Sequence, residues 1–215
     1  NDSDTSTYSI LQKDGSWLKV SRTEYDSNQI HNLGNAIDFS APEYVYETLN
    51  AQKQAGANVL YLGSRTSAIE RNSYWWFPGT FEESVCKRYM DAAWSLGMKC
   101  IITDYVIQTV EEEGDLTTIS ERLNNEHLRQ AFLHPAFYGL QFEDEPAQDE
   151  IANVGKSAKH ILDFWRNDPE LSQKDDPIIY TALRSYDENK SETFGYFENK
   201  DAYKAYIRSW FDETG

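Results

Sequence analysis

The segment that most restricts the fold is Phe137-Tyr138-Gly139-Leu140-Gln141-Phe142-Glu143-Asp144-Glu145-Pro146, an apolar and aromatic run that ends in three adjacent acids and a proline. This pattern predicts a buried strand with carboxylates at its C-terminal tip, stopped by Pro146 because proline has no ladder donor. A long amphipathic pattern over 147–166 follows at once, with Ile151, Val154, Ala158, Ile161, Leu162 and Trp165 on one stripe. Strand, acidic tip and helix make one βα step of a parallel sheet, an architecture whose chemistry sits at the C-terminal ends of the strands.

The other segments repeat that step. Residues 30–39 read as a strand ending at Asp38, and Ser40-Ala41-Pro42-Glu43 opens a helix that runs to about Ala55. The strand 58–63 is followed by a long connection through Arg65, Trp75 and Trp76, and Thr80-Phe81-Glu82-Glu83 has the form of a capping box for a helix ending at Gly97. The strand 99–104 again carries an acid, Asp104, at its tip. A loop over Glu111-Glu112-Glu113-Gly114-Asp115, read as solvated, leads to a helix from Ser120 to about Leu133. The strand 177–183 and a helix over 200–211 complete five such units, while residues 8–20 alternate about Lys13-Asp14-Gly15-Ser16 as a β-hairpin. The expected organisation is a polar tether and hairpin over 1–29, then βα units over 30–215.

Alternation of this kind predicts an α/β fold, either an open doubly wound sheet or an eight-stranded barrel. A nucleotide-binding open sheet would show a glycine-rich first βα turn, and Phe39-Ser40-Ala41-Pro42 is not one. Long aromatic connections after the strands favour the (β/α)8 TIM-barrel type, in an incomplete form of about five units.

Charge narrows the partners. With 20 Lys and Arg against 36 Asp and Glu, the formal charge of −16 opposes binding to nucleic acid and to anionic membrane surfaces. The 14 Tyr, 10 Phe and 6 Trp suit either a ring-rich core or a surface that stacks on flat neutral partners such as sugars. No run is apolar enough for membrane insertion. The polar start Asn1-Asp2-Ser3-Asp4 resembles a tether left after processing, which points to a secreted or cell-surface protein. Cys86 and Cys100 are expected as two free, buried thiols.

The motif His134-Pro135, Gly139 and Asp144-Glu145-Pro146, with a long helix behind it, resembles the fourth strand of clan A barrel-type glycoside hydrolases. By order of elements the resemblance spans roughly residues 30 to 215. It implies that Glu145 is the general acid/base and that Asp144, in place of the more familiar Asn, bonds the sugar near its 2-hydroxyl. It also implies a nucleophilic Glu on a seventh strand. The fifth unit is the last in this sequence, so the expectation is a barrel completed by further chain, by a second chain or by a swapped copy.

Glycoside hydrolysis needs two carboxyl groups flanking the bond, about 5 Å apart for retention and wider for inversion. Glu143 and Asp144 would help keep Glu145 protonated, because like charge disfavours ionisation. Against this, an acid at a helix N-terminus is common for dipole reasons alone. Trp75 or Trp76 would offer a stacking plane, and Asp38, Arg65, Asp104, Tyr105 and Arg184 follow strands and could bond hydroxyls, though each is also an ordinary loop residue. The expected partner is an oligo- or polysaccharide, with no cofactor implied. A non-catalytic carbohydrate-binding protein on the same fold, and a metal-dependent barrel enzyme using Asp104, Glu143 and Asp144, are the alternatives.

Overall fold

The computed structural model describes residues 7–12, 16–21, 42–62, 81–144, 146–183, 197 and 199–214. The chain divides into two compact units, Asn1–Ala55 and Gly56–Gly215.

In the first unit, β1 (Thr7–Leu11) and β2 (Trp17–Ser21) pair antiparallel, with Ile10 opposite Leu18. The hairpin expected over 8–20 is therefore present, and the Gln12 N–H closes its turn on the Ser16 carbonyl at 2.8 Å. Helix α1 (Pro42–Gln54) begins at the proline, which suits a first helical position because its missing N–H would be unpaired there anyway. The chain leaves the helix at Gly56, whose φ of 100° favours glycine. The strand expected over 30–39, with Asp38, lies outside the described residues.

The second unit is α/β. Its four strands, β3 (Val59–Leu62), β4 (Lys99–Ile102), β5 (Phe137–Asp144) and β6 (Ile178–Ala182), form one sheet in the order β3-β4-β5-β6. Every pairing is parallel. Strand order follows chain order without reversal, so right-handed crossovers deliver all the connecting helices to one face.

Burial alternates as that requires. The row Leu62, Ile102, Leu140 and Ile179 is in register across the sheet, and its first three members are almost wholly buried. The intervening row, Tyr61, Ile101, Gly139 and Ile178, is in register on the opposite face. There Tyr61 and Tyr180 remain 48% and 47% exposed, with Val59 and Ile178 exposed beside them.

Helix α2 (Val85–Ser95) packs on β4 and buries Val85, Cys86, Met90 and Ala93. Its cap is Ser84, whose Oγ accepts the Lys87 N–H at 3.0 Å. Phe81–Glu83, expected in the first turn of the helix, instead winds into a 3-10 turn ahead of it, and Thr80 lies outside the described residues. The single helix expected from Ser120 to Leu133 is instead α4 (Leu116–Leu123) and α5 (Glu126–Leu133), preceded by α3 (Tyr105–Val110). Each has its own cap: Asp104, Asp115 and Asn125 accept backbone N–H groups of the turn that follows. Helix α6 (Ile151–Asn167) starts four residues later than the pattern suggested, since Glu150 Oε2 takes the Ala147 N–H at 2.6 Å and holds a turn there.

Helix α7 (Lys200–Thr214) lies against α6. They approach at Gly155, where an added Cβ would sit 2.7 Å from Glu213 Cβ. Phe132, Phe137 and Trp165 make an aromatic cluster at the base of the sheet, Phe137 stacking on Trp165 at 5.5 Å. Cys86 and Cys100 are free and buried, as the sequence predicted. Among the described residues no helix is long and apolar enough to cross a membrane.

Candidate functional site

Because the strands are parallel, their C-terminal ends share one rim. Leu62 ends β3, and its carbonyl accepts the Thr103 N–H at 3.1 Å, which ties the first residue beyond β4 to the neighbouring strand. The Thr103 hydroxyl lies 3.1 Å from that of Tyr61. Asp104 follows and is 1% exposed.

Asp104 is fully committed within the fold. Oδ1 accepts the Ile107 N–H at 3.1 Å and caps α3, while Arg122 on α4 spans both oxygens, donating from Nε to Oδ1 at 3.1 Å and to Oδ2 at 2.9 Å and from Nη2 to Oδ2 at 2.6 Å. A planar guanidinium meeting a carboxylate through two nitrogens is the strong form of such a contact. Arg122 had no signal in the sequence: it sits in the last turn of α4, eighteen positions away, and only the packing of α3 on α4 brings it to the strand tip.

On the next strand Asp144 is in register with Ala182 of β6, and the ladder shifts between Gln141 and Asp144. Such an irregularity re-aims the residues at a strand end. Just beyond, the Pro146 carbonyl accepts the buried Tyr206 hydroxyl at 3.0 Å, which pins the loop after β5 to α7. Asp144 and Pro146, the neighbours of Glu145, are thus both tied to other elements. Glu145 itself lies outside the described residues, as do Asp38, Arg65, Trp75, Trp76 and Arg184. For Glu143, Asp144 and Tyr105 the backbone is described and the side chain is not. The rim therefore carries Asp104 just beyond the end of β4 and Asp144 at the end of the adjacent β5.

The opposite end of the sheet is held by cations on carbonyls. Lys99 Nζ reaches the Pro135 carbonyl at 2.9 Å, and Lys174 Nζ reaches that of Phe132 at 2.6 Å and of His134 at 3.2 Å. Burial, followed by repulsion from Lys99, holds Lys174 below its ordinary lysine value. His134 accepts the Ala136 N–H on Nδ1 at 3.1 Å and bonds Asp91 through Nε2 at 3.0 Å. That pair of bonds specifies a neutral ring protonated on Nε2, and burial pushes its pKa down while Asp91 opposes the shift. The His134-Pro135 part of the motif thus organises the base, roughly 25 Å of strand from the acids.

Two further polar groups define what the interior can do. Ser120 Oγ lies 2.7 Å from His160 Nε2 and also donates to the Leu116 carbonyl at 2.8 Å. Its one proton is used on the helix, so His160 is the donor and the pair joins α4 to α6 rather than activating a nucleophile. Glu111, expected in a solvated loop, is wholly buried, because its turn packs on α6, where Ser157 Oγ donates to its carbonyl at 3.2 Å. Glu113 stays in solvent and Asp115 caps α4, so the acidic run is a structured turn. Among the described residues no group of three or more His, Cys, Asp or Glu could hold a metal ion.

No family model matches this chain, and no curated protein or solved structure matches it either.

Proposed function

We propose that this chain carries βα units of a (β/α)8 barrel of glycoside-hydrolase type, acting on a β-linked glycan when the barrel is complete. The observation that carries the reading is the sheet: four parallel strands in unreversed order, with Asp104 and Asp144 at the C-terminal ends of two neighbours. A doubly wound sheet reverses its strand order at the ligand crevice, and this one does not reverse over its four strands. The exposed face with Val59, Tyr61, Ile178 and Tyr180 suits the inside of a barrel whose remaining strands would cover it.

In this reading Glu145 gives its proton to the departing glycosidic oxygen and later takes one from water, and Asp144 orients the sugar. The second carboxylate comes from the strands that complete the ring. Asp104 takes no part in the chemistry: neutralised by Arg122, it fixes α3 beneath the rim. Trp75 or Trp76 supplies the stacking plane, with Asp38, Arg65, Tyr105 and Arg184 around it. The reading places the protein outside the cell or on its surface.

The commitment of Asp104 to Arg122 also favours a second reading, a carbohydrate-binding protein without hydrolysis, because it removes one carboxylate from the rim. Glu145→Gln decides between them when assayed in the complete domain with an aryl β-glycoside and, separately, by calorimetric titration with glycan. Hydrolysis predicts a loss of about 100- to 10,000-fold in rate with binding retained. Binding without any turnover by the unmodified protein selects the second reading, and neither turnover nor binding refutes both.

A further inference from the structure

We draw no further inference here: the strongest candidate, the face of the parallel sheet on which Tyr61 and Tyr180 stay exposed, already belongs to the barrel interior proposed above, and nothing else among the described residues shows what covers it.

Discussion

A Cβ placed on Gly139 would lie 2.0 Å from the carbonyl oxygen of Ile178, so β5 and β6 meet where only a hydrogen fits. The obstacle is backbone, which cannot rotate aside as a side chain can. Gly139→Ala must therefore part the two strands or break the register that also sets Asp144 opposite Ala182. The expected loss is about 1–3 kcal/mol or more, read from denaturant midpoints. A variant as stable as the parent would show that β5 and β6 are not so close.

Asp104 and Arg122 make the second test. Asp104→Ala leaves a largely buried guanidinium without its carboxylate and α3 without its cap, at a cost of roughly 3–5 kcal/mol. Adding Arg122→Met should recover part of that loss, because the stranded charge is gone. If the double variant is as unstable as the sum of the single ones, the two side chains do not act as a pair.

The thiols should be almost inert in the folded protein. Burial pushes Cys100 up to about 12 and Cys86 well above its ordinary value, the latter helped by the nearby Cys100. Since the thiolate is the reacting species, alkylation by iodoacetamide at pH 8 should run at least about 100-fold slower than in the unfolded chain. Both folded values are raised, so this contribution to stability is complete below about pH 9, the unfolded value, and is lost as pH rises towards 12. Rapid labelling of either cysteine without denaturant would contradict their placement.

His134 predicts the opposite limb. Its folded pKa lies below the ordinary 6.5, chiefly through burial. The stability it contributes is present above pH 6.5 and is lost as pH falls through the folded value, when Nδ1 gains a proton facing the Ala136 N–H. His134→Gln should lower stability at pH 7 by about 1 kcal/mol and flatten the decline below pH 6.5. A His134 ring signal titrating above 6.5 by nuclear magnetic resonance would reverse the sign.

The sequence already contained what depends on near neighbours. Apolar runs at 59–62, 99–102, 137–142 and 178–182 read as strands, and the amphipathic stretches between them required crossovers, hence the parallel sheet, although one face of 59–62 and 178–182 stays exposed. The alternation about Lys13-Asp14-Gly15-Ser16 sufficed for the hairpin. Placement of acids at the strand ends was legible for the same reason, because a strand's direction follows from the helix that succeeds it.

What escaped such reading were choices among local options that tie in energy until distant chain intervenes. By residue type Ser84 and Thr80 are equally acceptable caps, and the helix that follows the 3-10 turn at Phe81–Glu83 is capped by Ser84. Glu111 is as polar as Glu113, yet the docking of its turn on Ser157 buries one and not the other. Asp104 read either as a turn or capping residue or as a rim acid, and it is a cap; a sequence shows the carboxylate but not the guanidinium that folding brings to it from another helix. Secondary structure and strand direction thus follow from contacts a few residues apart. Which acids stay available for chemistry depends on long-range partners, whose identity exists only once the helices have packed.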